Sequence, residues 1–286
     1  MVIGLTIVAA GTSAPELAVV SRAIAADDTE LAVGSIIGSN IANILLVLGL
    51  AAASGAIRVT TRVVRVDIPI MISASVAFLV MSIDGVLSRF DGVLLFCGLV
   101  VFVVWTLRAA PKNFPSDAPS VKTPVESGRE GSVEDVVYAE QGIVSPRASM
   151  VRHVFILVAG VAVLAVAARF VVQGAEEIAT SLGVPELIVG LTIVALGTSA
   201  PEIVTTLIAA LQGRRELAIG NAVGSNIFNI LLVLGASSTL AAEGISIGSD
   251  AIKLDLPIMV AAAVACLPVV FWDHKLDRWE GGVFVA

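Results

Sequence analysis

The sequence predicts an all-α polytopic membrane protein made of two inverted-topology repeats of five helices. Three observations predict it. Hydrophobic residues fill 57% of the 286 positions and charged residues only 14%, against about 25% charged in an ordinary soluble domain. Residues 4–49 recur as residues 190–235 without a gap, with 28 of the 46 positions identical. Each copy also carries the same interruption. "GLTIVAAGTSAPE" at 4–16 and "GLTIVALGTSAPE" at 190–202 are apolar runs broken by Gly-Thr-Ser-Ala-Pro and followed by a glutamate.

The elements follow in chain order. Apolar stretches cover 2–26, 31–54, 66–83, 92–107, 154–172, 184–211, 217–240 and 254–272. Most reach or approach the ~20 residues that cross a bilayer core, which gives eight complete spans; a ninth begins near Trp279. In the second span of each copy, "GSNIANILLVLG" matches "GSNIFNILLVLG", and further on "VDIPIM" at 66–71 echoes "LDLPIM" at 254–259. The second copy is preceded by the helix at 154–172, the first only by Met1; the first is followed by a full helix at 92–107, while its counterpart stops at Ala286. The expectation is a ten-helix protein truncated here by its first helix and most of its last. Residues 1–110 form the first repeat and 151–286 the second. Between them, 111–150 is rich in Pro, Ser, Gly and charge and lacks apolar periodicity, as a disordered linker does. Its six acids are mixed with four bases and show no calcium-loop spacing.

Orientation comes from the basic residues. Loops on one side carry thirteen Lys and Arg, including Arg58, Arg62, Arg65, Arg108, Arg214, Arg215, Lys275 and Arg278; the other side has Arg22, Arg89, Arg169 and Lys253. The thirteen-charge side is expected in the cytoplasm, linker included, in a cell (plasma or inner) membrane. Helix 2–26 then runs outward and its twin 184–211 inward, so the repeats are inverted. The net charge of −7 sits in loops and implies no nucleic-acid partner. No secretory signal is visible. Cys97 and Cys266 lie in apolar helices and read as small core residues, with neither a disulfide nor a metal site.

Interrupted helices in inverted repeats point to ion sites near the membrane midplane. Thr12, Ser13, Thr198 and Ser199 offer hydroxyl oxygens. Pro15 and Pro201 lack an N–H and crowd the carbonyl about one turn earlier, which is expected to free carbonyls near Ala9 and Ala195. Glu16 and Glu202 follow the threonines by four residues, on one helix face. Ser39 and Asn43 share a face of the partner helix, as do Ser225 and Asn229. These ligands are all oxygen, which suits hard cations such as Ca2+ and Na+; the two histidines, His153 and His274, fall near helix ends.

Blander readings exist. "SAPE" also fits a capping box, with Ser13 as cap and Glu16 at the third helical position. A carboxylate near the centre of a span costs at least ~2.5–3.5 kcal/mol, however, and capping hardly accounts for that twice at matching positions. "GSIIG" at 34–38 and "GNAVG" at 220–224 read as close-packing motifs. Asp67 and Asp255, each two residues before a proline, read as helix starts.

Through these motifs the sequence resembles the alpha repeats of the calcium/cation antiporter superfamily, above all the bacterial sodium/calcium exchangers. The resemblance covers nearly all the chain except 111–150. It implies ten helices in two inverted halves, with 2–26, 31–54, 184–211 and 217–240 as the core. It also implies a metal site lined by Thr12, Ser13, Glu16, Ser39 and Asn43 with Thr198, Ser199, Glu202, Ser225 and Asn229, sodium sites being completed by the carbonyls of Ala9 and Ala195. Some members carry Asp where Asn229 stands. The expected function is Ca2+ exchange for Na+ by alternating access, in a monomer and without a cofactor, Ca2+ and Na+ being the transported ions. A proton-coupled antiporter of the same fold is the alternative. A channel is less suited, since it needs a continuous conduit, and an intramembrane enzyme lacks a His-Glu-x-x-His, serine-triad or paired-aspartate motif.

Overall fold

The structure is a computed structural model that describes residues 9–109, 181–267 and 275–286, with scattered positions between 159 and 179. Residues 1–8, the expected linker 111–150, most of the expected helix 154–172, and both histidines lie outside the described residues. The first broken helix appears as α1 (Ala9–Thr12) and α2 (Ala14–Ala25), parted at Ser13. Then come α3 (Thr29–Ser54), α4 (Val63–Met81) and α5 (Arg89–Arg108). In the second copy, α6 (Leu187–Thr198) and α7 (Ala200–Leu211) meet at a 46° bend at Ser199, followed by α8 (Leu217–Leu240). Helices α9 (Leu256–Val264) and α10 (Arg278–Val285) close the described chain.

Proline explains part of this geometry. Pro69 cannot supply the N–H for a helical bond one turn back, and the segment before it, Val63–Asp67, is wound as a wider π-helix. The same occurs at Ala251–Asp255 before Pro257. Asp67 therefore does not begin its helix, as the sequence suggested, but ends a π-turn inside it; Asp255 ends the π-turn that leads directly into α9, and neither caps through its side chain. Real capping boxes stand at Ser88/Asp91 and Asp277/Glu280, at corresponding places in the two copies.

Two-stranded ladders tie the copies together. β1 (Ile57–Arg58) pairs with β4 (Lys275–Leu276), and β2 (Val86–Leu87) with β3 (Ile245–Ser246), all antiparallel. Each pair joins the early strand of one copy to the late strand of the other. Helices pack by the same exchange, α5 on the end of α8 and α10 on the end of α3. Glycines permit it: a Cβ on Gly92 would lie 2.8 Å from the Gly235 carbonyl oxygen, and one on Gly281 would lie 2.7 Å from that of Gly49. Arg89 Nε donates to the Thr239 carbonyl at 3.1 Å, and Arg278 Nε to that of Ala53 at 3.1 Å.

The related helices α3 and α8 run antiparallel. The end of α3, at Gly55, lies against Arg215 at the start of α8, and Glu30 at the start of α3 lies near Gly248, beyond the end of α8. These two form the centre; α8 is 89% buried and α5 only 28%. The outer face of α5 exposes Phe90, Val93, Val100, Val101 and Leu107, an apolar surface fit for lipid. Cys97 is exposed on this helix while Cys266 is buried, so only Cys266 is the core residue the sequence suggested.

Candidate ion site between the broken helices

The site forms where the interruptions of α1/α2 and α6/α7 meet the middles of α3 and α8. All ten side chains singled out from the sequence are buried: Thr12, Ser13, Glu16, Ser39, Asn43, Thr198, Ser199, Glu202, Ser225 and Asn229. Gly34 and Gly38 bring α3 onto α6 so closely that a Cβ on Gly34 would lie 2.8 Å from the Leu187 carbonyl oxygen. This is the packing role expected of "GSIIG".

Hydroxyls link the copies reciprocally. Thr12 Oγ1 lies 3.4 Å from Ser225 Oγ, and the corresponding Thr198 Oγ1 lies 3.2 Å from Ser39 Oγ. Ser199 donates to Glu16 Oε1 at 3.4 Å, and Ser225 to Glu202 Oε1 at 3.3 Å. Thr198 also hydrogen-bonds Glu16, and Thr12 hydrogen-bonds Glu202. Each carboxylate is thus held by a threonine of the opposite copy, and the two are close enough to repel each other.

The capping-box reading fails here. Ser13 and Ser199 stand at the caps of α2 and α7, yet neither side chain makes a capping bond. The expected freeing of the Ala9 and Ala195 carbonyls also needs correction. Both accept a backbone N–H, from Ser13 and Ser199, each at 3.0 Å. A proline deprives the carbonyl four residues earlier, which is Gly11 or Gly197. The Ala195 carbonyl still faces the cluster, accepting Ser39 Oγ at 3.3 Å and Thr198 Oγ1 at 3.2 Å.

Several buried atoms at the site have no hydrogen-bond partner among the described residues: Ser13 Oγ, Glu16 Oε2, Glu202 Oε2, and both amide atoms of Asn43 and Asn229. Each such atom costs about 1–3 kcal/mol, and most of them are oxygens able to ligate a hard cation. Asn43 and Asn229 stand at the first residues of π segments, Asn43–Leu48 and Asn229–Leu234. Such bulges occur often at functional sites. The sequence reading missed them, because nothing in "NILLVL" distinguishes π from α winding. It also passed over Asn40 and Asn226, buried beside the named ligands, although both stand inside the repeated "GSN" motif.

Mostly helical architecture, apolar spans and a shared buried oxygen cage define a multi-pass membrane antiporter for cations. The family model described as "Sodium/calcium exchanger protein" matches residues 1–108 and 152–286. The chain belongs to the sodium/calcium exchanger family. It is 38% identical to the putative antiporter CaxA of Alkalimonas amylolytica, over 97% of this chain and 81% of that protein. It is 30% identical to the sodium/calcium exchanger MaX1 of Methanosarcina acetivorans, over 99% of this chain and 85% of the relative. The solved structure of the sodium-calcium exchanger NCX_Mj, soaked with 10 mM Na+ and zero Ca2+, matches with a TM-score of 0.75 at 28% identity. That match covers 99% of this chain and 83% of the other.

Proposed function

We propose that the chain exchanges Ca2+ for Na+ across a cell membrane by alternating access between two inverted halves, residues 1–110 and 151–286. The observation that carries this reading is the pair of buried carboxylates, Glu16 and Glu202, each held by the other copy amid neutral oxygens with unpartnered atoms. Two ionised glutamates give the site a formal charge of −2, which one Ca2+ or two Na+ neutralises; a third Na+ leaves +1. The hydroxyl, amide and carbonyl oxygens are more numerous than proton exchange requires, and they supply seats for weakly held Na+ beside a stronger divalent position. The positive-inside bias of the loops supports a cytoplasmic position for 111–150, and the supply of both halves of the site by one chain supports function as a monomer.

Proteoliposomes loaded with Na+ and diluted into Na+-free buffer containing Ca2+ test the proposal. Uptake needs internal Na+, and rises with an inside-positive potential if three Na+ leave per Ca2+, since each cycle then carries one net positive charge outward. Uptake driven equally well by a pH gradient without Na+ refutes sodium coupling and favours the proton-coupled alternative, since protons compete for the same carboxylates.

A further inference from the structure

Asn40 and Asn226 occupy the same position in the two copies, 186 residues apart, each 1% exposed. Their surroundings correspond. Asn226 lies against Met71 of α4, its Nδ2 3.7 Å from the sulfur. The α9 helix, which packs on α3, carries the fully buried Met259 at the matching place. Their hydrogen bonds do not correspond. Asn226 Nδ2 crosses to the other copy and donates to the Asn40 carbonyl at 3.0 Å. Asn40 Nδ2 turns back on its own helix and donates to the Ile36 carbonyl at 2.8 Å. The side-chain carbonyl oxygens of both are buried without a partner among the described residues.

Two like residues at matching positions, making unlike bonds, break the symmetry of the copies where α3 meets α8. Inverted repeats provide the means to reverse such an asymmetry: alternating access moves one part of the protein against the other around a fixed site, and the opposite state arises when the halves exchange conformations. Other pairs at the site share the asymmetry. Ser199 bonds Glu16 while the matching Ser13 Oγ has no partner, and Ser225 bonds Glu202 while the matching Ser39 bonds the Ala195 carbonyl. Of these, the asparagines alone bridge α3 to α8 directly without touching the carboxylates.

We propose that Asn40 and Asn226 are an alternating pair of positioning residues. Asn226 bridges the copies in the access state described here, and Asn40 bridges them in the opposite state, donating to the Asn226 carbonyl while Asn226 returns to Ala222. The proposal rests on the alternating-access reading. Its consequence is directional. Loss of the Asn226 amide weakens one state, and loss of the Asn40 amide weakens the other. Apparent affinity at each membrane face scales with the fraction of protein open to that face.

The test measures half-saturating Ca2+ at the two faces of uniformly oriented vesicles for the wild type, Asn40→Ala, Asn226→Ala and the double variant. The ratio of the two constants should move about two- to tenfold, the size of one buried hydrogen bond, in opposite directions for the two single variants. The double variant should return toward the wild-type ratio. A residue of merely structural importance lowers thermal stability without opposed shifts. If either alanine protein fails to accumulate, Asn→Ser at both positions, which retains a donor on a shorter arm, should give the same opposition at smaller size. Shifts of the same sign, or no shift in proteins that still exchange, overturn the pair. If the wild type passes Ca2+ with no counter-ion on the far side, alternating access itself fails and the pair falls with it.

Discussion

Substituting alanine for Gly38 perturbs the site without touching a proposed ligand. The added Cβ would overlap the Leu191 carbonyl oxygen and stand 2.6 Å from the Ala195 Cβ. Carbon atoms pack best about 3.5–4.0 Å apart, so α3 and α6 must part by roughly 1 Å. The next residue is Ser39, whose hydroxyl meets the Ala195 carbonyl at 3.3 Å and Thr198 Oγ1 at 3.2 Å. A further ~1 Å puts both contacts beyond hydrogen-bonding reach. Overpacking costs about 1–3 kcal/mol, and each lost bond adds about 0.5–1.5 kcal/mol. Misplacing a preorganised group by ~1 Å costs on the order of a hundredfold in function, so the half-saturating Ca2+ concentration should rise tenfold to a hundredfold. The assay is Na+-dependent 45Ca2+ uptake by proteoliposomes, with thermal unfolding in detergent alongside. Gly282→Ala is the control, because a Cβ there meets nothing within 4 Å. A Gly38→Ala protein with wild-type Ca2+ affinity and thermal midpoint would show that the close approach of α3 and α6 does not set the geometry.

Three further expectations follow from the site and its supports. Glu16→Gln or Glu202→Gln halves the site charge from −2 to −1, too little to neutralise one Ca2+, and should abolish most Ca2+ uptake while leaving insertion intact; folded variants with unchanged flux would remove these residues from the ligand set. Asn229→Asp takes the formal charge to −3, so Ca2+ should bind more tightly and turn over more slowly, seen as lower half-saturation with a lower maximal rate; a raised half-saturation contradicts the charge argument. Arg278→Gln removes the donor to the Ala53 carbonyl at the end of α3 and should lower the unfolding midpoint by a few degrees, for a hydrogen bond worth about 1 kcal/mol, with Arg89→Gln doing the same at α8; unchanged midpoints would show that these side chains do not fasten the helix ends.

The site was legible in the sequence because its parts occur twice. One "GTSAPE" can be punctuation; two, each joined to a matching "GSN" helix, require a shared reason, and all ten side chains are buried together. Among the described residues, the spans expected at 31–54, 66–83, 92–107, 184–211 and 217–240 were legible from hydropathy to within a few residues. What the sequence hid was backbone winding and orbital accounting. Local propensity does not separate a π-turn from an α-turn, so Asp67 read as a helix start although its helix begins earlier. There it lies fully buried, 3.8 Å from Arg62 Nε, with that guanidinium 5.3 Å from the centre of the Trp105 ring. Counting back from Pro15 and Pro201 also gave the wrong carbonyls, since a serine N–H reaches Ala9 and Ala195 after the break. Cys97 was misread for a different reason: in a membrane protein an apolar position can face lipid as readily as the core.

Duplication also bears on how the site works. Every charged or ligating side chain in it has a counterpart in the other copy, and the copies cross-bond through Thr12–Ser225 and Thr198–Ser39. A site with a single carboxylate would present different chemistry to the two membrane faces. Here each face would see one glutamate, one threonine–serine pair and one asparagine of the same kind, so an ion's affinity differs little by the side from which it enters. That near-equality suits an exchanger, whose direction is then set by the gradients and not by the cage. The residual differences lie in which hydroxyl or amide is engaged, as at Ser13 and Ser199 or at Asn40 and Asn226. A hydrogen bond is worth about 1 kcal/mol net, so differences of this kind are small enough to be reversed once per transport cycle, while the pair of buried carboxylates remains fixed.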